Sequence, residues 1–306
     1  MSGHAVRQQF LSQFRRLSVN TRQTSGMIVT SYVLQVIAAI GLGYWLLQRP
    51  ITVPTELGVA VIMLFIGTRL RGLNNIVHEC THFTFTQRRE DNVFFGSICA
   101  SLVLGCFRDY RDEHLTHHAH CGDYDRDLDL QGIRKFRLED PLTPRTILRH
   151  ALTPLLGLHL THYLSVNLSG RDGEPYRALK IGLIAASIAF LALDPLAAIL
   201  LVWVPFAWIY TAINYWTDCV DHGGLADAGD DLESSRNLIV LKQLRAIIFP
   251  RNDCYHLVHH LFPQVPTQHF DACHERLLAH PDYRARTEGA GSRTSVGEWK
   301  AMKTAN

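Results

Sequence analysis

The sequence has no strong excess of charge of either sign. Its 30 Lys and Arg residues nearly balance 28 Asp and Glu residues, and the formal net charge is +2. A nucleic-acid-binding domain usually has a clustered basic face, so this balance argues against nucleic acid as a partner. Internal repeats, low-complexity tracts and strong linkers are also absent, and we therefore expect residues 1–306 to form a single domain.

The sequence also lacks the spacing typical of cysteine sites. Seven cysteines are an odd number, and no two form a CxxC pair. A disulfide framework or a cysteine-rich zinc site would show such pairing. We therefore expect reduced thiols, most of them buried.

Charge is missing from several long segments. Met27–Leu47 has 21 residues without a charge, enough for a helix to cross a hydrocarbon layer of about 30 Å. This run lies too far along the chain to be a signal peptide, and no cleavage site follows it. A second apolar run, from Leu57 to Leu70, continues in helical character towards His78. Together with Met27–Leu47 it predicts a helical hairpin. Ile181–Trp216 carries one charge, at Asp194 before a proline, and this predicts two short or tilted spans.

A shorter apolar run and the distribution of arginine complete the predicted topology. Val93–Phe107 is about 15 residues long, which suits a re-entrant or half-buried helix, or equally a soluble core helix. Arginines precede the first predicted span and follow the second, while the loop between them has only Arg49. By the positive-inside rule, both termini and the segments 71–176 and 217 onward are expected to be cytoplasmic.

These patterns predict an all-α, multi-pass integral membrane protein with about four transmembrane helices and a cytoplasmic helical cap. We expect residues 1–25 to form a cytoplasmic N-terminal segment and residues 287–306 to form a flexible tail. Arg69 and Arg71 are expected at the membrane interface, where they would snorkel or meet a polar headgroup.

Histidine, in contrast, is abundant, with 17 residues. In "HECTH", His78 and His82 are four residues apart, so a helix places both on one face, within reach of one metal. The stretch also matches the HExxH signature of zinc proteases, in which Glu79 would be the general base.

Two further groups, "HLTHH" and "HLVHH", repeat one spacing. A solvated helix face does not explain the repetition, and buried imidazoles without partners cost free energy. We therefore predict metal ligands at His114, His117, His118, His256, His259 and His260, with His222 as a ninth candidate. Nine imidazoles suffice for two metal ions, and imidazole suits zinc, copper, iron and nickel. The repeated Glu-x-x-His motifs of soluble di-iron bundles are absent.

In the order and spacing of these groups the chain resembles the integral-membrane fatty acid desaturase and hydroxylase superfamily. That family is marked by the boxes HxxxH, HxxHH and HxxHH, by four spans, and by boxes on the cytoplasmic side. The acidic stretch "CGDYDRDLD", the run "LFPQVP" and the pair Asp221-His222 also fit its pattern. The resemblance extends over roughly Thr30 to Leu278.

The resemblance implies two non-haem Fe ions with O₂ as co-substrate, and no catalytic groups beyond the metal ligands. Those ligands would be His78, His82, His114, His117, His118, His222, His256, His259 and His260. It also implies that carboxylates orient the rings through the second imidazole nitrogen, the candidates being Glu79, Asp125, Asp127, Asp129 and Asp221. A solvated acidic loop is the alternative for the aspartates.

The resemblance further implies an apolar acyl or alkyl substrate, taken from the membrane lipid of the bilayer or from a carrier. Desaturation of an acyl chain is the first expectation. Hydroxylation of an alkyl, carotenoid or specialised-metabolite substrate is the alternative within the same fold. The sequence lacks a fused cytochrome b5-like domain, so we expect a separate electron donor, either ferredoxin or cytochrome b5-like. "LFPQVP" is expected to form a membrane-facing cap over the substrate.

Two other classes of protein stay open at this point. A membrane zinc protease built on "HECTH" accounts for two of the histidines and leaves seven without a purpose. A metal-storing or metal-transporting membrane protein would need ligands along a path inside the bilayer, whereas these histidines lie at one end of the predicted spans.

Overall fold

The structure, a computed structural model, describes residues 3–15, 17–225 and 230–288. Every regular element within these residues is helical, and the β contacts are limited to an isolated bridge between Asn20 and Thr86. The expected all-α fold is confirmed. Most of the predicted tail, from residue 289 onward, lies outside the described residues. Its first two positions, Thr287 and Glu288, end a helix, and Thr287 is buried.

Helix α1 (Gly3–Phe14) precedes a long hairpin formed by α2 (Arg22–Leu47) and α3 (Val53–Thr81). The two hairpin helices have 26 and 29 residues, more than the roughly 20 needed to cross a bilayer. Thr21 caps α2 by accepting a hydrogen bond from the backbone of Thr24. The predicted hairpin is confirmed. Helix α2 begins at Arg22, before the uncharged run Met27–Leu47, because its first turn is polar.

The next two helices, α4 (Arg89–Leu102) and α5 (Phe107–His120), are bent by 104° relative to each other. The predicted single element Val93–Phe107 therefore has the wrong bounds. The chain turns at Leu104, which has a φ of +57°. Gly96 permits the close packing of this corner, since a Cβ there would lie 2.6 Å from the Phe107 ring.

A segment of short helices follows and leads to two further long helices. The short ones are α6 (Leu128–Gln131), α7 (Pro144–Leu155) and α8 (Leu160–Tyr163). The long ones are α9 (Glu174–Leu193) and α10 (Pro195–His222), which contains π-helical turns. The predicted break is confirmed at Asp194, whose carboxylate accepts a hydrogen bond from the Ala197 backbone at 3.1 Å. Within the described part of the chain, four helices, α2, α3, α9 and α10, are long and apolar enough to cross a membrane.

The remaining helices are α11 (Lys242–Ile248), α12 (His256–Leu261), α13 (Phe270–Leu277) and α14 (Pro281–Glu288). Helices α12, α13 and α14 form a hydrophobic core with α1, in which Phe14 meets Phe262 edge to face at 4.9 Å. The expectation that "LFPQVP" faces the membrane is wrong, because Leu261, Phe262 and Val265 are fully buried in this core.

Arg69 and Arg71 are buried, so their predicted place at the membrane interface is also wrong. Arg71 forms an ion pair with Asp253 at 2.7 Å, and Arg69 donates to the backbone carbonyl of Ala246 at 2.5 Å. A buried charge requires such partners. Both arginines therefore join helix α3 to the C-terminal segment that carries the third histidine group.

All seven cysteines are free, and all except Cys121 are buried. This confirms the expectation of reduced, mostly buried thiols.

A buried lysine in α9 fixes the corner between α4 and α5. The ammonium group of Lys180 donates to the carbonyls of Gly105 and Asn167 at 3.2 Å and 2.5 Å, and to that of Ser169 at 3.3 Å. The same loop supplies Asp172, which accepts from the first backbone N–H groups of α5. Lys180 thus positions the helix that carries "HLTHH".

We expect Lys180→Met to lower the melting temperature of the detergent-purified protein. Charge-assisted hydrogen bonds contribute about 1.5–3 kcal/mol, and about 3 kcal/mol corresponds to roughly 6–12 °C in a chain of this size. Arg177→Met, on the solvent-exposed start of the same helix, is the control and should change the melting temperature by less than about 2 °C. Equal melting temperatures for the two variants would contradict the role given to Lys180.

Candidate metal centre

Four segments that are distant in sequence meet at one end of the long helices. "HECTH" ends α3, "HLTHH" lies in α5, "HLVHH" forms most of α12, and His222 is the last residue of α10. Helix geometry supplies the local reason, since residues three or four apart lie on the same face. The fold then turns all four histidine faces towards each other.

Five of the imidazoles form a first group, which we name site A: His78, His82, His114, His118 and His259. Their ligand nitrogens all lie within 4.8 Å of one another. The Nε2 atom of His259 is 2.7 Å from that of His78 and 2.9 Å from that of His118. The Nε2 atom of His114 is 3.1 Å from those of His82 and His118.

The other four imidazoles form a second group, site B: His117, His222, His256 and His260. The Nε2 atom of His256 is 2.9 Å from those of His222 and His260. His117 and His260 approach to 3.2 Å. Every histidine predicted as a ligand thus belongs to one of two adjacent groups.

The spacing of these nitrogens fits metal ions better than hydrogen bonds. An Nε2 atom carries either one proton or one lone pair, so it takes part in one hydrogen bond with another such nitrogen. His259, His118 and His114 each have two such neighbours. Two nitrogens bound to one metal at about 2.0–2.1 Å would lie about 2.8–3.4 Å apart for angles of 90–109°. The donor set therefore suits an imidazole-binding transition metal.

The two HxxHH helices each contribute to both sites. In α5, His114 and His118 belong to site A while His117 belongs to site B. In α12, His259 belongs to site A, and the other two belong to site B. Adjacent histidines on a helix point about 100° apart, so one helix can serve two metal ions. This division explains why the same spacing occurs twice in the chain.

Three of the predicted carboxylates contact the second nitrogen of a site histidine. The Nδ1 atoms of His114 and His117 lie 3.0 Å and 2.8 Å from Asp129 and Asp127. The Nδ1 atom of His256 lies 3.3 Å from Asp221. A carboxylate on Nδ1 keeps the proton there and leaves the Nε2 lone pair free for a metal.

Asp125 and Glu79 do not contact an imidazole in this way. The Asp125 carboxylate is exposed and lies 3.7 Å from Arg134. Glu79 is buried and accepts two hydrogen bonds from Arg251, at 2.6 Å and 2.7 Å, and one from Thr267 at 2.8 Å. Glu79 therefore joins the end of α3 to the loops on either side of α12.

Sequence reasoning missed several residues that hold the site together. The backbone carbonyl of Ser234 accepts a hydrogen bond from His222 Nδ1 at 2.9 Å. Arg251, the partner of Glu79, stands in a short 3₁₀ turn with a φ of +67°. Neither residue belongs to a motif, and their contacts join segments far apart in the chain, so the sequence carried no signal for them.

Burial keeps most of the site histidines neutral. Loss of solvation, followed by the repulsion of neighbouring histidines, lowers the pKa of His118, His259 and His260 well below the usual value. Burial also acts to lower the pKa of His117, but the hydrogen bond and charge of Asp127 outweigh it and leave that pKa raised. Neutral imidazoles are the form that binds metal ions.

A cavity of about 490 Å³ borders both sites. Its wall includes His78 and His114 of site A, and His117, His222 and His256 of site B. The Tyr110 ring in the same wall stacks on His114, with 5.5 Å between ring centroids. The cavity gives a small molecule access to both groups of histidines.

We expect Asp127→Asn to weaken metal binding about 10–100-fold, the usual effect of removing such a carboxylate. Asp127 is fully buried, and besides His117 it accepts hydrogen bonds from the backbone of Gly122 and Leu130. Asp125→Asn, two residues away and exposed, is the matched control and should bind metal as the parent does. Metal affinity is measured by competition with a chelator. Equal losses in both variants would point to a general effect of acidic charge in this loop.

Comparison with known proteins supports the same reading. The sequence model of the fatty acid desaturase family matches residues 55–288. The dihydrorhizobitoxine desaturase of Bradyrhizobium elkanii is 24% identical over 271 residues, which is 78% of this chain and 71% of that protein.

Two relatives match over shorter regions. The sn-1 oleoyl-lipid 12-desaturase of Anabaena variabilis is 34% identical over 98 residues, 32% of this chain and 27% of its own length. The oleoyl-12-hydroxylase of Ricinus communis is 34% identical over 123 residues, 38% of this chain and 31% of its own length. The family match covers most of the chain, including all nine site histidines. This chain belongs to the fatty acid desaturase family and is a desaturase-like oxidoreductase.

Proposed function

We propose that the protein is an O₂-dependent di-iron oxidoreductase that desaturates an acyl or alkyl chain. The observation that carries this proposal is the pairing of two imidazole groups, of five and four ligands, around one cavity. Family membership supports iron as the metal, because imidazole alone suits several transition metals. Candidate spans next to the sites support a substrate drawn from the bilayer or from a membrane-associated carrier.

Iron held at the two sites would supply the O₂ chemistry needed to take hydrogen from an unactivated C–H bond. The protein's own part is to orient the ligands. Asp127 and Asp129 hold a proton on the Nδ1 atoms of their histidine partners, and the Ser234 carbonyl does the same for His222. Asp221 lies 3.3 Å from the Nδ1 atom of His256. These contacts keep the Nε2 atoms directed at the metal positions without rearrangement.

The balance of electrons requires a partner. Desaturation takes two hydrogen atoms from –CH₂–CH₂–, which supplies two electrons, whereas reduction of O₂ to two water molecules consumes four. A separate donor must therefore provide the other two electrons, and we propose a ferredoxin or a cytochrome b5-like protein. We further propose that the sites and both termini face the cytoplasm, in keeping with the arginine distribution.

Hydroxylation is the second candidate reaction. One of the matched relatives is named an oleoyl-12-hydroxylase. Hydroxylation and desaturation begin with removal of the same hydrogen atom. They differ in whether a neighbouring hydrogen leaves or a hydroxyl group is added.

Metal analysis is the direct test of the proposal. We expect about two irons per chain in the detergent-purified protein, and a loss of at least one in His259→Ala, because His259 belongs to site A and has two close imidazole neighbours. His269→Ala is the control, since this histidine lies outside both sites and bonds to Ser18. Mössbauer spectra and oxidation by O₂ are measured on the same samples. One zinc per chain, retained in His259→Ala, would overturn the proposal.

Glu79→Gln separates the oxidoreductase from a zinc protease. In an HExxH protease the glutamate is the catalytic base, and its loss abolishes activity. Here the Glu79 carboxylate is occupied by Arg251 and Thr267. We therefore expect the variant to keep its iron and part of its turnover, with a lower melting temperature from the broken ion pair. Proteolysis of casein by the parent, abolished in Glu79→Gln, would favour the protease instead.

A further inference from the structure

The cavity beside the two sites has a polar wall where a hydrocarbon chain would need an apolar one. Close to the histidines its lining includes the side chains of Asn74, Tyr110, Tyr163, Asn214 and Asp218. An unsubstituted chain would displace water from these groups without replacing its hydrogen bonds, which costs free energy. The wall is therefore better matched to a substrate with a polar substituent near the reacting carbons.

Asp218 is a carboxylate of this wall with a single hydrogen-bond partner. It lies on α10 four residues before His222, so it occupies the same helix face as a site B histidine. Tyr163 donates a hydrogen bond to its Oδ2 atom at 2.5 Å. Within the described residues, its Oδ1 atom accepts no hydrogen bond, since the bond from Tyr163 is the one that the carboxylate makes.

The other carboxylates that border the cavity away from its rim already have partners. Asp253 pairs with Arg71 at 2.7 Å, and Asp109 pairs with Arg171. Asp129 and Asp221 face His114 and His256, as described above, although the Oδ1 atom of Asp221 makes no hydrogen bond within the described residues. Glu113 stands at the exposed rim.

The arginine in this wall is also occupied. Arg71 donates to Asn214 at 3.1 Å as well as to Asp253. Within the described part of the chain, Asp218 has no Lys or Arg within ion-pair distance. A carboxylate enclosed beside the metal centre without a basic partner attracts a cation from outside the protein.

We propose that Asp218 binds a protonated amine of the substrate and thereby places the carbons next to that amine at the two histidine sites. The substrate is then an amine-bearing alkyl or acyl compound and not an unsubstituted fatty chain. This inference rests on the proposed function, since it names the substrate class of the same site. An ammonium group would complete the hydrogen bonding of Oδ1 and neutralise the carboxylate, as Arg71 does for Asp253.

The test compares three ligands of equal chain length on the iron-loaded full chain in detergent: hexylammonium, hexanol and hexanoate. Affinities are measured by calorimetry, and iron content is determined on each sample. We expect the parent to bind hexylammonium at least 10-fold more tightly than hexanol, and hexanoate most weakly. In Asp218→Asn, hexylammonium should lose at least 10-fold in affinity while hexanol changes by less than 2-fold.

Two variants separate the charge of Asp218 from other effects. Tyr163→Phe removes the hydrogen bond but keeps the carboxylate, so the preference for hexylammonium should remain. Asp112→Asn removes an exposed carboxylate of α5 that lies outside the cavity wall, and it should bind all three ligands as the parent does.

The inference is overturned if the parent protein binds hexylammonium no better than hexanol. It is also overturned if Asp218→Asn still prefers hexylammonium to hexanol, because the amine would then contact the metal instead. A loss of iron in Asp218→Asn would also overturn it, because Asp218 would then serve as a counter-charge to the metal. Failure of the proposed function has a different signature. If the purified protein contains no iron but still binds hexylammonium in an Asp218-dependent way, the proposed di-iron reaction is wrong while the proposed amine-binding site stands.

Discussion

The crowding of nine imidazole nitrogens into two adjacent groups is the constraint on which the rest of the molecule depends. Contacts of 2.7–3.2 Å between Nε2 atoms cannot all be hydrogen bonds, because each atom has one proton or one lone pair to offer. Such an arrangement is stable when metal ions replace the missing protons. The scaffold must therefore hold four chain segments rigidly, and it must keep the imidazoles neutral by burying them.

Buried polar contacts supply much of that rigidity. Arg71 with Asp253 and Arg251 with Glu79 join α3 to the segment around α12, and Lys180 donates to the Gly105 carbonyl in the loop before α5. Each contact joins parts of the chain that are more than 70 residues apart. Their charges would be costly if unpaired in an apolar surrounding, so they favour one arrangement of the helices over looser alternatives.

Local patterns predicted the long helices well, and every histidine they singled out lies in one of the two adjacent groups. The long uncharged runs, the Asp194-Pro195 break and the histidine spacings depend on neighbours within one or two helical turns, and the structure places them as expected. The shorter run Val93–Phe107 is instead divided between α4 and α5. The other errors concern burial. Arg69, Arg71 and the "LFPQVP" run were expected at the membrane surface, yet both arginines and the Leu261, Phe262 and Val265 side chains of the run are buried. Local hydropathy does not show how distant segments pack, so it could not predict this burial.

The sequence by itself determined that the chain is helical, that it has spans long enough for a bilayer, and that eight histidines stand in three groups with metal-binding spacings. These features follow from helix periodicity and hydrophobicity, which are local properties. The tertiary structure decided which histidine serves which site, which carboxylates orient them, and that Asp218 stands in the cavity wall without a basic partner. Those outcomes depend on distances between α3, α5, α10 and α12, which only the packed fold brings within hydrogen-bonding range.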